Sequence, residues 1–580
     1  MRSSAHLSWS KIAVALLFVM AMILPQFSDA QNQPPVAPVD RAQARSMVIT
    51  QDGIVAAESP LAAQAGVEIL RRGGNAIDAA IAANAVMGVV APMSNGIGGD
   101  LFVIYYEAKT GKLYGLNASG WAPSGLNAQL LKDKGFRAMP VRGIYSVTVP
   151  GVIDGWQKLL ERFGNKKLPD VLAPAIHVAE QGYPVTEWVA NLWANNAQVV
   201  RENDEAAHVY LINDQPPKAG QLFKNPDLAW SLKQIATGGR DAFYKGELAR
   251  RIVKLSQSHD GLMTLEDLAT YSSEWVDPLS TTYRGWTVYE LPPNGQGVAA
   301  LEMLNIMETF PLQDPKQYPL NQTHTLHMMI EAKKLAYADL ERYIGEPRNN
   351  PEVMKAAMAM LTKPYAAERA KLINMDKANC AVTAGDPLPA AGDTIYLSAV
   401  DRDGNMVSLI QSNYENFGSG LVAEGTGFVM HDRGALFNLD AKSPNVLDGH
   451  KRPLHTIIPA FMEQGTTRIA FGIMGGWNQA QAHAQFVSHV VDFKQNIQLA
   501  LETARFTKAT FAGCDVELEN RIPGNVKTEL EAKGHVLQMH NGFSNRFGGG
   551  QAVMRDFSTR INYGGSDPRK DGAAIPELPF

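Results

Sequence analysis

Hydrophobic and polar positions follow two rhythms along this chain, and each predicts a different kind of element. Leu61, Ala65, Ile69 and Leu70 recur at helical spacing, with Ser59 as N-cap, Pro60 at the first helical position and Gly73-Gly74 as the stop. Residues 76–90 are rich in alanine and apolar nearly all round, the pattern of a helix buried on every side. The run Leu101-Phe102-Val103-Ile104-Tyr105-Tyr106 follows a glycine turn at 96–99 and reads as a buried strand. Thr110-Gly111 turns the chain into a second strand over 113–116. Residues 150–280 read as mainly helical. Tyr283, Trp286, Val288 and Tyr289 mark one strand within 280–291, and a long helix runs from about His324 to Tyr343. Residues 376–392 read as loop. The texture then changes: 394–400 has strong strand propensity, Asp403-Gly404 is the strongest short hairpin signal, and Met406 to Ser412 is the return strand. Helices first and a hairpin later predict stacked α and β layers.

Composition narrows the class without naming a function. The 580 residues are 45% hydrophobic and 19% charged, which excludes intrinsic disorder. A net charge of −5 with no long basic block argues against a nucleic-acid surface. Length alone gives a prior of about four domains. Arg2 and Lys11, the apolar run Ile12 to Leu24, and Ser28-Asp29-Ala30 form the three parts of a signal peptide over 1–30. This predicts an exported, periplasmic or secreted protein. Its apolar run is too short to span a membrane, and no later run is long enough. A Pro/Gln-rich flexible leader covers 31–46, with structure starting near Met47. Cys380 and Cys514 are the only cysteines; they are either a disulfide or two free thiols.

Candidate chemistry is sparse. The histidine pairs His324/His327, His450/His455 and His483/His489 have no acidic or cysteine partner at ligand spacing, so neither a metal nor a cofactor is expected. The 96–99 glycine loop precedes a strand, not a helix, which disfavours nucleotide binding. The hairpin is more informative. A two-residue turn at Asp403-Gly404 places Thr394 opposite Asn413; one bulged residue places it opposite Ser412. Either register gathers hydroxyl and amide groups where the first strand begins.

The chain resembles the γ-glutamyltranspeptidase family of N-terminal-nucleophile hydrolases from about Val48 to Arg569. Early pieces of the likeness are Gly73 to Ala80, Gly96-Ile97-Gly98-Gly99, Val149-Pro150-Gly151 and Pro292 to Gly297. Later ones are Glu331 to Asp339, Gly392-Asp393-Thr394, Asp401 to Asn405, Phe417 to Gly420, Lys451-Arg452-Pro453, Gly475-Gly476 and Ser566 to Arg569. The resemblance implies an α+β fold, a four-layer αββα sandwich built by both products of self-cleavage. It thereby replaces the multi-domain prior with one interleaved body. It implies a cut between Asp393 and Thr394, giving a large subunit ending at 393 and a small subunit over 394–580. Thr394 matches the family's nucleophile, whose freed α-amine acts as its base. Ser412 matches the second hydroxyl beside it, which favours the bulged register. Gly475 and Gly476 match the oxyanion-hole amides.

The likeness fails at the substrate pocket. Family members that clamp a glutamyl α-carboxylate use an arginine where this chain has Ser119, before Trp121-Ala122-Pro123. Leu436 stands where they have an acidic residue, and His455 and Thr456 replace paired serines. Arg433 is either an alternative anion contact or a solvated loop arginine. Ser119, Asn413, Arg433, His455 and Thr456 are therefore the expected substrate contacts. These departures resemble the family's branch of cephalosporin-acylase-like and amidohydrolase-like members. The expected activity is hydrolysis or transfer of γ-glutamyl groups from glutathione-like amides. The alternatives are an acylase for another acyl group, or an uncleaved, inactive binding protein.

Overall fold

The computed structural model describes residues 43–382 and 394–579. The expected signal segment, the leader through 42 and Asp393 lie outside the described residues. Val48–Thr50 (β1) and Ile54–Ala57 (β2) precede two helices, Pro60–Arg71 (α1) and Ala76–Val90 (α2). Asp100–Glu107 (β3) and Lys112–Ala118 (β4) follow, and helices fill most of 152–269. Next come Glu274–Val276 (β5), Leu279–Tyr283 (β6), Trp286–Glu290 (β7) and the helices Gly297–Glu308 (α3) and Thr323–Tyr343 (α4). The last part holds Ile395–Val400 (β8), Met406–Ser412 (β9), Ala460–Gln464 (β10), Thr467–Ile473 (β11) and Gln479–Val491 (α5). It closes with Gly550–Asp556 (β12), Ile561–Ser566 (β13) and Ala573–Pro576 (β14).

The strands form two seven-stranded antiparallel sheets, in the orders β1-β13-β12-β11-β10-β7-β6 and β14-β2-β8-β9-β3-β4-β5. Each sheet mixes strands from before and after residue 394. Side-chain alternation explains the layers. Leu101, Val103 and Tyr105 of β3, with Leu397 and Leu409 of the hairpin, pack in one core with α1 and α2. Their alternates Phe102, Ile104 and Tyr106 pack instead with Tyr396, Ile410, Phe461, Ala470 and Val553, between the sheets. The other sheet turns Met462, Ile469 and Phe471 toward α3, α4 and α5. Strands buried on both faces read as continuous apolar runs, and the result is the αββα sandwich. Every residue of α2 is buried, and Asn75 with Asp78 forms its capping box.

One turn differs from the sequence reading, and another decides between two registers that the residues left open. The single strand expected within 280–291 is a hairpin, with Tyr283 paired to Trp286. Its two-residue turn, Arg284-Gly285, has φ of 48° and 84°, the left-handed pair that such turns require. The β8–β9 hairpin is not a two-residue turn. Asp401 N–H donates to Asn405 O at 3.1 Å, leaving a three-residue loop with Gly404 at φ 90°. Ile395 pairs with Gln411, so Thr394 falls opposite Ser412, the bulged register.

Cys380 and Cys514 are joined, with Cα atoms 4.9 Å apart. Their disulfide links a residue before position 394 to one after it. No helix among the described residues is long and apolar enough to cross a membrane.

Candidate active site

Thr394 heads β8 and is 1% exposed. Its Oγ1 lies 3.0 Å from Ser412 Oγ, which in turn accepts from Tyr414 N–H at 2.8 Å. The glycine turn before β3 makes this approach possible. A Cβ on Gly99 would collide with the carbonyl of Ser412, and one on Gly98 with that of Val429. The glycine loop therefore serves close backbone packing under the hairpin. Asn413, next along, donates to Pro92 O at 3.1 Å, while its buried Oδ1 has no hydrogen-bond partner among the described residues.

Gly475 and Gly476 stand just past the end of β11, with φ of 128° and 58°. Both values favour glycine. Their carbonyls accept from Asn478 N–H and from Gln296 Nε2, but neither glycine amide donates to an acceptor among the described residues. Gln296 Nε2 also donates to Thr456 O at 2.6 Å, tying the glycine pair to the 455–456 segment.

Arg433 is not solvated. It is fully buried, because Asp100 faces it across the site. Its Nε donates to Asp100 Oδ2 at 2.7 Å, its Nη2 to Oδ1 at 3.3 Å, and its Nη1 to Thr456 Oγ1 at 2.6 Å. His455 Nε2 lies 2.8 Å from the same Asp100 oxygen, while its Nδ1 accepts from Ile457 N–H. Those two partners fix the neutral tautomer, with the proton on Nε2. Burial, reinforced by Arg433, pushes the His455 pKa down to about 4. Burial raises the Asp100 carboxyl, but Arg433 and His455 outweigh it and hold the group well below the usual carboxylate range. The neighbouring Asp432 is different. Burial lifts its carboxyl to about 6, and its Oδ2 has no hydrogen-bond partner among the described residues.

Asp100 is the site residue that the sequence reading missed. It pairs with Ser412 in the β3–β9 register, which places it beside the Thr394 hydroxyl pair. A charged residue heading an apolar strand was the available signal. Asp100 and Gln296 thus link five of the expected residues, Thr394, Ser412, Arg433, Thr456 and Gly476, into one chain. Ser119 joins from the side, where its Oγ accepts from Asn294 Nδ2 at 3.3 Å, and Asn294 O accepts from His455 N–H. Trp121 packs against Tyr271 and under Arg348. Leu436 is half-buried at the end of the Arg433–Leu436 turn.

The expectation that no acidic residue stands near the histidines at ligand spacing is corrected. Glu331, one helical turn after His327, meets it and His535 in a buried cluster. His327 Nδ1 and His535 Nε2 share a hydrogen bond at 2.8 Å, and His327 Nε2 donates to Asn374 O. The Lys334 ammonium, 2.6 Å from Glu331, already supplies the cation that this carboxylate faces. The arrangement is a hydrogen-bonded network beside the disulfide.

Comparison with known proteins shows the family. The sequence profile described as Gamma-glutamyltranspeptidase matches residues 62–577. The crystal structure of cephalosporin acylase from Bacillus halodurans superposes with a TM-score of 0.86 at 40% identity, covering 95% of this chain and 100% of that one. The glutathione hydrolase-like YwrD proenzyme of Bacillus subtilis is 34% identical, covering 91% of this chain and 99% of its own length. The oxamate amidohydrolase proenzyme of Klebsiella pneumoniae is 32% identical, covering 91% and 98%. The chain is an enzyme that belongs to the γ-glutamyltranspeptidase family of N-terminal-nucleophile hydrolases.

Proposed function

We propose that this protein is a self-processing amide hydrolase whose nucleophile is Thr394 and whose acyl group lacks a zwitterionic glutamyl head. The observation that carries the acyl preference is the Asp100–Arg433 pair. A free α-carboxylate needs an unspent guanidinium. Ser119 offers none, and Arg433 is already bound by an internal carboxylate at 2.7 Å. Leu436 supplies no charge for an α-amine. A neutral or weakly polar acyl group suits this pocket, which moves the acylase reading ahead of the γ-glutamyl one. The γ-glutamyl reading stays as the second, favoured by the 34% identity to a glutathione hydrolase-like proenzyme.

In the precursor, the Thr394 hydroxyl attacks the carbonyl carbon of Asp393. The peptide C–N bond breaks as an ester forms, and water then hydrolyses that ester. The products are a new carboxyl at Asp393 and a free α-amine on Thr394. With a pKa of ~7.7–8, that amine is partly neutral near pH 7 and takes the hydroxyl proton when Thr394 attacks substrate. Ser412 Oγ orients the nucleophile, and the amides of Gly475 and Gly476 receive the developing oxyanion. Such a donor is worth ~3–4 kcal/mol in other hydrolases. The leaving amine departs protonated, and water or an acceptor amine resolves the acyl-enzyme. Asn413, His455 and Thr456 line the acyl side. The chain is exported through its 1–30 segment, in keeping with a disulfide.

That disulfide changes how processing is observed. A cut at 393/394 leaves residues 31–393 and 394–580 joined through Cys380 and Cys514. Before reduction the protein is one species, heavier by one water; after reduction it is two chains. For the acyl group, release of a chromogenic amine is compared between γ-glutamyl and simple acyl amides. Faster turnover of simple acyl amides supports the proposal, and γ-glutamyl turnover alone reverses the ranking.

A further inference from the structure

The hairpin that begins at Thr394 turns at Arg402-Asp403-Gly404, and a cavity of about 800 Å³ opens there. The six residues of β8, at ~3.3 Å each, put this turn roughly 20 Å from Thr394. Lys109, Arg162, Arg402, Arg555 and Arg560 line it, against the carboxylates of Glu107 and Asp403. In a chain of net charge −5 this excess of cations is local.

Most of that charge is unspent. Arg402 is held by Asp52 and Glu577, each at 3.0 Å. Lys109, Arg162 and Arg560 have no carboxylate at ion-pair distance among the described residues. The Arg162 guanidinium lies over the rings of Tyr114 and Trp275, 4.6 Å from each centroid, which positions the cation without neutralising it. Arg555 is the most telling. It is 5% exposed and donates to Asn562 Oδ1 and Arg402 O, and among the described residues no carboxylate stands at ion-pair distance from it. A buried cation without a countercharge is costly, and an anion in the cavity would supply one. On the anion's flat side, the rings of Tyr105, Phe163 and Phe557 complete the wall.

We propose that this cavity binds a small organic anion carrying two or more carboxylate or phosphate groups, at a site separate from Thr394. The proposal does not depend on the acyl-enzyme chemistry. Its test is calorimetric titration of the full chain at low ionic strength with citrate and, separately, with pyrophosphate. Saturable binding of one or both is expected, and the stronger one identifies carboxylate or phosphate as the natural group. Arg162→Ala and Arg560→Ala are both exposed substitutions, and each should weaken binding about tenfold, the worth of one charge-assisted hydrogen bond. Lys371→Ala, at an exposed lysine paired with Glu368 elsewhere, should leave it unchanged. Three results overturn the proposal: saturation by neither anion, equal affinity in the Arg162/Arg560 double variant, or equal weakening by Lys371→Ala.

Discussion

The two ends of the β8–β9 hairpin share one backbone ladder but not one environment. At the open end, Thr394 and Ser412 are buried, and Asp100, the register neighbour of Ser412, is paired with Arg433 at 2.7 Å. At the turn end, 400–406, the surroundings are open and cations outnumber carboxylates. The difference separates two uses of charge. A buried, internally neutral end favours chemistry in which charge develops only briefly and is met by amides already in place. An exposed end with unspent charge favours binding of a ligand that arrives charged, at the cost of screening by salt.

The comparison breaks first at Thr394, the proposed nucleophile. Thr394→Ala should lower turnover by at least about 10⁴-fold, as losing a nucleophile does elsewhere, with the fold kept on circular dichroism. Asp100→Asn comes next. It leaves the Arg433 guanidinium buried without its countercharge and should cost about 3–5 kcal/mol in urea unfolding. An effect under 1 kcal/mol would show that the open end is not held by this pair.

Asp432 sharpens the same point through pH. Its folded pKa, about 6, is raised above the ordinary 3.8 by burial. The folded state therefore binds a proton that the unfolded state has released. The stability this confers is full below pH 3.8 and is lost as pH rises through 6. Relative to Asp432→Asn, the wild type should lose about 2 kcal/mol between pH 4 and 7. A constant difference between the two proteins across that range would contradict it. The smallest effect belongs to the turn end. Arg560→Ala and Lys109→Ala should change stability by under about 0.5 kcal/mol and leave turnover unaltered, because neither side chain is buried or paired.

Some of this was legible in the residues, and the reasons for the rest are physical. The helix over 76–90 and the strands around 101–106, 394–400 and 406–412 are buried on both faces, so their apolar runs stand out. The turn at 402–404 stayed open between two registers because Asp-Gly is a strong two-residue signal, whereas register is set by the partner strands; the resemblance favoured the bulged register that the strands adopt. The true two-residue turn hid at Arg284-Gly285, where an arginine takes the left-handed conformation. Arg433 stayed open between an anion contact and a solvated loop arginine because its partner Asp100 lies 333 residues away in sequence. The disulfide was undecided for the same reason, its cysteines being 134 residues apart. The nucleophile, the second hydroxyl and the glycine pair were reached through resemblance, and no spacing rule would have joined them.

The central claim is that Thr394 becomes a chain terminus by its own attack, and intact mass after reduction of the disulfide tests it most directly. The account predicts two chains for the wild type, one ending at Asp393 and one spanning 394–580, and a single uncut chain for Thr394→Ala. A single uncut wild-type chain after reduction, or two chains from Thr394→Ala, would contradict it.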